Sequence, residues 1–455
     1  MAMDHRLASL EAEPHALATL PVNKGPTSAA QSFGLLVGQA FGFALLLPPF
    51  MCMMPWSVLG RCFFGPDPTS PRISTTCSLM RKALFDRATC KEMGPLTRLR
   101  VALSLLMISM RSHSLWSCCW YIDELYGCFG GWKSAQIISP IFLISNARTG
   151  SSEFGARLYS EGKRLLGPNV LQCLLPYCWV WGITRFFFRD VQQEEVTMKM
   201  QEGYRKKFPE MFKRHPFQPF SLDTFEVAQN MTSFTFGYLN LLAGPNVPPY
   251  GADPDPAKLH GDVRQFCRYT DAMLKKTLHF SGRPDRRPFL KGHFIHAADE
   301  LAARYPNALF VDLVREVGPM LRSQMNFVHL LPCWQELGVA SAPWAWLRLN
   351  LLRANLDYCD RELLFFHTEK ATKNTLVLKF QDCIQDLPRS LRQVFDAAGI
   401  EVTEEEIARA AQREAGAKSE RGKYEIDVPL DQLQIPEAWL TSAFRNWSQK
   451  MCKSS

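Results

Sequence analysis

A short polar loop between two apolar stretches is the first candidate for chemistry. In IISPIFLISNARTGSSEFGARL, residues 137–158, an apolar run ends in small and hydroxyl-bearing residues, after which apolar residues return at helical spacing. A strand, a small-residue loop and a helix start direct backbone N–H groups and the positive end of a helix dipole at one point, where an anion can bind. The candidate donors are Arg148, Thr149, Gly150, Ser151 and Ser152. We expect them to hold a phosphate, and the alternative is a plain Gly/Ser turn.

This loop lacks the lysine on which nucleoside triphosphatases depend. Their motif, G-x-x-x-x-G-K-[ST], has a lysine directly after the second glycine, whereas Ser151 follows Gly150 here. No glycine stands five residues before Gly150. The sequence therefore argues against an ordinary kinase or GTPase loop, although a nucleotide-dependent phosphotransferase or kinase stays open as an alternative function.

The pattern R-[ST]-G-[ST]-[ST] after an apolar strand resembles the phosphosulfate-binding loop of sulfotransferases that use 3′-phosphoadenosine 5′-phosphosulfate (PAPS) as sulfuryl donor. The resemblance covers residues 120–426 and does not extend to the N-terminal tail. It implies that Arg148–Ser152 hold the 5′-phosphate of the donor beside the transferring sulfuryl group.

The same family has a second group of phosphate donors, an Arg at a strand end and a Ser eight residues later, which contact the 3′-phosphate. In ALFVDLVREVGPMLRSQMNF these positions are Arg315 and Ser323, with Arg322 as an alternative donor. Ser323 is expected about two helical turns beyond the strand tip, so that it can face the same anion as Arg315. Near the C terminus, KSERGKYEI resembles a basic loop that closes over the nucleotide, with Arg421 and Lys423 as phosphate contacts.

The resemblance leaves two residues open as the catalytic base. PFLKGHFIHAADELAARYP resembles the family's strand, K-x-H or K-S-P turn and helix, and places Lys291 and His293 at a strand's carboxyl end, where ligands bind in parallel sheets. In one branch of the family a His at this position takes the acceptor proton. In the branch with the closest surrounding sequence an acidic cluster follows a His-Pro motif, which corresponds here to Asp223 and Glu226. A buried Glu226 with a raised pKa could serve as the base instead.

The chemistry that the resemblance implies depends on positioning and electrostatics. Sulfuryl transfer, like phosphoryl transfer, passes through a loose in-line transition state with charge on the leaving oxygen. We expect Arg148, supported by Lys291, to stabilise the departing 5′-phosphate while His293 or Glu226 deprotonates an acceptor hydroxyl. We expect no metal. Membrane anchors are common in carbohydrate and glycolipid sulfotransferases, which favours a glycan or lipid-linked acceptor; a catalytically silent PAPS-binding membrane protein is a further alternative.

The elements that must position these residues alternate between strands and helices. The candidate strands are IFLISN, RPFLKG, ALFVDLVR and TLVLKF, and HAADELAARYP predicts a helix between the second and the third. Residues 387–416 predict two more helices, the second opened by a Thr403–Glu406 capping box. The sequence therefore predicts an α/β fold with a P-loop-like parallel sheet flanked by helices.

The N-terminal part of the chain is predicted to be membrane-associated. Residues 33–60 carry no charge and are long enough to cross the roughly 30 Å hydrocarbon layer of a bilayer. We expect a membrane anchor or a re-entrant segment; the alternative is a buried hairpin broken at the three prolines of the segment. Basic residues after it favour a cytosolic catalytic domain, whereas the glycosylation sequons at Asn230 and Asn446 matter only in a lumen. The side of the membrane stays open.

Composition fits a folded enzyme attached to a membrane. Hydrophobic residues make up 47% and charged residues 21%, which excludes wholesale disorder, and a net charge of +8 over 455 residues is too modest to indicate nucleic acid. The 14 cysteines lack zinc-site spacing. We expect a polar tail (1–32), the membrane segment (33–60), a membrane-proximal helical region (61–135) and a sulfotransferase-like catalytic domain (136–455), in the Golgi or another endomembrane.

Overall fold

A five-stranded parallel sheet carries the candidate site. The computed structural model describes residues 7, 20, 29–87, 93–160, 164–187, 193–215, 218–222, 224–226, 229, 233, 256–331, 343–367, 374–412 and 427–452. Its strands are β1 (Ile141–Ile144), β2 (Leu165–Leu166), β3 (Arg287–Gly292), β4 (Leu309–Val314) and β5 (Thr375–Lys379). They lie in the order β2-β3-β1-β4-β5, and every pairing is parallel.

Four of these strands confirm the sequence prediction, and with them the α/β fold class. All four residues of β1 are fully buried, as expected for a central parallel strand that is covered on both faces and therefore reads as a continuous apolar run. The two-residue strand β2, which pairs only with the start of β3, was not predicted.

Helices account for most of the remaining described residues. In chain order they are α1 (Ala29–Phe64), α2 (Ile73–Phe85), α3 (Pro95–Arg111), α4 (Ser117–Cys128), α5 (Ser151–Ser160), α6 (Val170–Leu174), α7 (Cys178–Phe187), α8 (Gln193–Lys207), α9 (Pro209–Arg214), α10 (Pro256–Ser281), α11 (Ala298–Arg304), α12 (Val317–Val328), α13 (Trp344–His367), α14 (Phe380–Gln385), α15 (Leu387–Ala397), α16 (Glu404–Gln412), α17 (Glu437–Ala443) and α18 (Arg445–Trp447). A π-helical turn, Ser112–Trp116, joins α3 to α4, and another, Ser448–Cys452, follows α18.

The apolar N-terminal segment forms one long helix. Helix α1 has 36 residues and continues through Pro48, Pro49 and Pro55, so the alternative of a hairpin broken at these prolines is wrong. Within it, residues 36–64 are long and apolar enough to cross a membrane, with a mean hydropathy of 1.7 and only 6% of the most apolar window buried by the rest of the protein.

Two groups of buried side chains cover the two faces of the sheet, as the two-residue period of strands requires. On one face Phe142, Leu290 and Phe310 pack with residues of α4, α10 and α13. On the other, Leu143 and Val311 pack with residues of α5, α15 and α16. The first group also contains residues from the 61–135 region, which therefore shares a core with the sheet.

The topology brings the ends of three central strands together. Strand β1 lies between β3 and β4, and the chain leaves β1, β3 and β4 at the same edge because all three are parallel. Ligands bind at this edge in open α/β sheets. The ends of these strands and the segments that follow them carry Arg148–Ser152, Lys291 with His293, and Arg315.

Candidate functional site

The loop between β1 and α5 has a tightly constrained backbone. Arg148 and Gly150 both have positive φ angles, 68° and 93°. Thr149 Oγ1 donates to Asn146 O at 2.9 Å, and Phe154 N donates to Gly150 O at 3.1 Å where α5 begins. The first N–H groups of α5 have no partner within the helix and point towards the loop. This is the geometry of an anion site at a helix N-terminus.

Position 150 in this loop accepts only glycine. A Cβ atom there would lie 2.6 Å from Cε2 of Phe380, and the positive φ would strain any side-chain-bearing residue. The Arg315 guanidinium covers the Phe380 ring, with its Cζ atom 4.5 Å from the ring centroid. The Phe380 ring therefore contacts both Gly150 and the Arg315 guanidinium.

The two donor groups predicted from the sequence meet in the structure. Arg148 Nε donates to Ser323 Oγ at 3.0 Å, and Arg315 Nη1 donates to Arg148 O at 3.0 Å. The Arg148 guanidinium lies over Phe327, 5.0 Å from the ring centroid. Burial lowers the pKa of Arg315, opposed by the charge of Glu316, but a guanidinium stays protonated under all ordinary conditions. Two fixed positive charges thus lie at one edge of the sheet.

Lys291 brings the end of β3 to the same loop. Its side chain is buried, and Nζ donates to Ser152 Oγ and to Thr224 Oγ1, both at 2.7 Å. The Lys291 carbonyl in turn accepts from Phe225 N at 2.9 Å. The lysine therefore joins the N-terminus of α5 to the segment that contains Glu226.

The two candidates for the base are neighbours. Glu226 is buried, and its Oε1 accepts from His293 N at 2.8 Å. A Cβ at Gly292 would collide with the other Glu226 oxygen, so this close approach requires glycine. His293 Nδ1 lies 2.6 Å from Ser145 O. Because a carbonyl only accepts, Nδ1 carries the hydrogen, and Nε2 of the neutral ring is left as an acceptor.

Three buried amide side chains, one in the loop and two on neighbouring helices, form hydrogen bonds that hold the loop in place. Asn146 Nδ2 donates to Asn355 Oδ1 at 2.9 Å, and Gln324 Nε2 donates to Asn146 Oδ1 at 3.0 Å and to Ala147 O at 2.8 Å. Asn355 Nδ2 returns a bond to Gln324 Oε1 at 2.7 Å. The loop is thereby tied to α12 and α13. The sequence analysis missed all three amides, because single Asn and Gln residues, one in the loop and two on helices, carry no distinctive signal.

A buried acidic pair lies beside these amides. Glu362, on α13, accepts from Trp447 Nε1 at 2.7 Å and from the backbone of Asn146. Asp312, on β4, is fully buried. Burial raises the pKa of Asp312 well above its usual value; burial and the nearby Asp312 do the same for Glu362. The sequence analysis missed this pair as well.

The other sequence-predicted residues are Asp223, Arg322, Arg421 and Lys423. Asp223, Arg421 and Lys423 lie outside the described residues. Arg322, the alternative donor, pairs on the surface with Asp427, with Nη2 2.8 Å from Oδ2. No cluster of three or more His, Cys, Asp or Glu side chains within the described ranges could hold a metal ion.

Two solved structures share this architecture. A sulfotransferase from Mycobacterium avium aligns with a TM-score of 0.57 at 13% identity, over 86% of this chain and 95% of that one. A sulfotransferase from Mycobacterium tuberculosis aligns with a TM-score of 0.52 at 14% identity, over 86% of this chain and 97% of that one. The chain shares the fold of these sulfotransferases. No protein-family model and no curated protein matches the sequence.

Proposed function

We propose that the protein is a membrane-anchored sulfotransferase that transfers a sulfuryl group from PAPS to an acceptor hydroxyl. The observation that carries this proposal is the meeting of the two predicted donor groups, through the Arg148–Ser323 and Arg315–Arg148 hydrogen bonds. Its supports are the fold shared with two sulfotransferases and the position of Lys291 and His293 at the same sheet edge.

In this proposal the β1–α5 loop binds one phosphate group of the donor, and Arg315 with Ser323 of α12 binds the other. Arg148 and the N–H and hydroxyl groups of residues 149–152 hold the 5′-phosphate, since they surround the N-terminus of α5. Arg315 and Ser323 hold the 3′-phosphate. Arg421 and Lys423 are proposed as further phosphate contacts on the basic segment near the C terminus.

Lys291 and Arg148 are proposed to stabilise the leaving group. The sulfuryl group of the donor is transferred in line, and charge develops on the oxygen that departs with the 5′-phosphate. Lys291 Nζ already lies between Ser152 and Thr224, so this cation needs little reorganisation when that charge appears. Fixed charges in a buried site stabilise developing charge more effectively than water does.

We assign the base to His293 and a positioning role to Glu226. The Ser145 carbonyl fixes the tautomer of the His293 ring through Nδ1, so Nε2 carries the lone pair that is proposed to take the proton of an acceptor hydroxyl. Glu226 Oε1 accepts from the backbone N–H of the same histidine and so fixes the turn after β3. The alternative assignment, with Glu226 as the base, predicts that the pH dependence of kcat follows Glu226 instead.

A membrane-borne acceptor, a glycan or a lipid-linked hydroxyl, fits the connection between α1 and the site. The segment that follows α1 contains Pro68, whose carbonyl accepts from Gln229 Nε2 at 3.1 Å. Gln229 is only three residues from Glu226, so the end of the anchor helix is tied to the segment beside the proposed base. We propose an endomembrane location, with the Golgi as the first compartment to examine.

Binding of PAP, the desulfated product, tests the donor assignment. Calorimetry with the full-length protein in nanodiscs should give PAP binding that Arg148→Ala and Ser323→Ala weaken by about tenfold or more, as expected for lost charge-assisted bonds to phosphate. Arg392→Ala, which removes a partly exposed ion pair with Glu404, is the control and should bind normally. ATP binding without PAP binding would instead indicate a phosphotransferase.

Transfer itself needs a separate assay. Incubation with radiolabelled PAPS and a panel of glycan and lipid-linked hydroxyl acceptors should yield labelled product from the wild type and none from Arg148→Ala. PAP binding with no transfer to any acceptor would show that the chain is a catalytically silent binding protein.

A further inference from the structure

One face of α4 is apolar and exposed. Ile122, Leu125 and Tyr126 have the i, i+3, i+4 spacing that places side chains along one side of a helix, and Phe129 is the residue that follows the helix at its C-terminal end. All four are at least 44% exposed, and Phe129 reaches 83%. Soluble proteins seldom leave such a row of large apolar side chains uncovered.

Helix α1 packs against one side of this face. Cys118 Sγ donates to Met53 O, and the Tyr121 ring stacks on Phe64 with 6.2 Å between centroids. The same Tyr121 ring fills the space that Gly60 leaves open. The exposed side of α4 is therefore continuous with the C-terminal half of α1, the helix that is apolar enough to cross a membrane.

The N-terminal end of α7 contacts α4 on the other side of this face. Trp179 Nε1 donates to Cys119 O at 3.2 Å. Ile183 and Phe186 follow Trp179 at i+4 and i+7, so they lie on the same side of α7 that contacts α4, and they are 47% and 77% exposed. We call Ile122, Leu125, Tyr126, Phe129, Ile183 and Phe186 the α4–α7 surface.

Helices α1, α3 and α7 expose cations, and no carboxylate is exposed among the described residues of these helices or of α4. Helices α1, α3 and α7 contain no Asp or Glu, and the two carboxylates of α4, Asp123 and Glu124, are buried. The exposed charged groups of these helices include Arg61, Arg111 and Arg185. Apolar side chains bordered by cations match the interface of a bilayer that contains anionic lipids.

Helix α1 is longer than the hydrocarbon layer of a bilayer is thick. At 36 residues it extends about 54 Å, against a hydrocarbon thickness of roughly 30 Å. Part of α1 must therefore lie beyond the hydrocarbon layer if it crosses it, and α4 packs along its C-terminal part.

We propose that the α4–α7 surface inserts into the interfacial layer of the bilayer that α1 crosses, so that the domain carrying the sheet is seated on the lipid. The occupant of the surface is anionic phospholipid, and the contact is independent of the reaction that the site performs. The domain would then have a fixed orientation on the membrane, with the segment tied to Gln229 held close to the lipid surface.

Photocross-linking tests this contact in the full-length protein. The probe is p-benzoylphenylalanine, introduced in place of Phe129 or Phe186, in nanodiscs of two parts phosphatidylcholine to one part phosphatidylglycerol. Irradiation should give lipid adducts, identified by intact mass, at a yield on the order of tenfold above that of the same probe at Ile384, a 59% exposed residue on α14. Phe41 on α1, 66% exposed, is the positive control.

Three outcomes would overturn the proposal. Lipid adducts at positions 129 and 186 no more frequent than at position 384 would place the surface in water. Adducts of twice the protein mass would assign the surface to a second copy of the chain. Absence of lipid adducts at position 41 would show that α1 is not in the bilayer at all.

Discussion

At the scale of single residues, Arg148 joins the two halves of the candidate donor site. Its backbone has a left-handed conformation that is unfavourable for a residue with a side chain. Arg315 holds its carbonyl, and Ser323 holds its guanidinium. Strain of this kind persists only where the surroundings over-determine it, and it is concentrated at functional sites. The sequence singled out Arg148, Arg315 and Ser323 as candidate phosphate donors, but the direct Arg148–Ser323 contact depends on the position of α12 beside the β1–α5 loop.

The identity of the base can be resolved by two conservative variants. If His293 is the base, His293→Asn should lower kcat by about 10²- to 10⁴-fold and remove the acidic limb of the pH–rate profile. Glu226→Gln should retain that limb, because its amide oxygen can still accept from His293 N. Steady-state kinetics between pH 5 and pH 9, with an acceptor found by the labelling screen, measures both. Loss of the limb in Glu226→Gln alone would assign the base to Glu226.

The buried Asp312 should make stability depend on pH. Burial raises its pKa above that of the unfolded chain, so the native protein binds more protons between the two values. Stability should therefore fall as pH rises from the unfolded pKa, about 4, towards the folded pKa. Asp312→Asn removes one titrating group and should flatten this fall, although Glu362 still contributes.

Chemical denaturation of the nanodisc-embedded protein at a series of pH values measures this effect. Asp357→Asn is the matched control, since Asp357 forms a partly exposed ion pair with Arg361 on α13. Its stability curve should parallel that of the wild type. If the Asp312→Asn curve is also parallel, the carboxyl of Asp312 is not held protonated by burial.

At the scale of elements, the sequence predicted those with strong local signals. The four longer strands are apolar runs, and the Thr403–Glu406 capping box forms at the start of α16, with Thr403 N donating to Glu406 Oε2 at 2.8 Å. Strand β2 has only two residues and exists through its pairing with β3. The amides that support the loop, Asn146, Gln324 and Asn355, meet only through the relative positions of α12 and α13, which no local pattern contains.

A side chain at position 150 should destabilise the loop between β1 and α5 and weaken its binding of PAP. Gly150→Ala places a Cβ against Phe380 at a φ of 93°, so we expect a loss of about 1–3 kcal/mol of stability and a weaker affinity for PAP. Gly318→Ala is the control, since an added Cβ in that turn of α12 meets no atom within 4 Å. Thermal unfolding and calorimetry with PAP measure the two effects. Wild-type PAP affinity in Gly150→Ala would show that the loop tolerates another conformation.

At the scale of the whole molecule, a buried ion pair connects α4, in the 61–135 region, to α10, which packs on the sheet. Lys276 on α10 and Asp123 on α4 are fully buried, with Nζ 2.8 Å from Oδ2. Asp123 also accepts from Cys178 N at 3.0 Å and Trp179 N at 3.3 Å, and so caps α7. Lys276 Nζ lies 3.6 Å from the Trp120 ring centroid. The sequence analysis did not predict this ion pair, because Lys276 and Asp123 are about 150 positions apart in the chain and meet only in the tertiary fold.

Removal of Lys276 should therefore weaken the connection between the two regions. Lys276→Met leaves the Asp123 carboxylate buried with only backbone donors, and breaking a buried pair in this way costs about 3–5 kcal/mol. Lys275→Met, which removes the adjacent and partly exposed pair with Asp271, should cost less than about 1 kcal/mol. Denaturant unfolding of the two variants in the same nanodiscs gives the comparison. Equal midpoints would mean that water or a rearranged donor compensates Asp123, and that the ion pair does not hold α4 and α7 against α10.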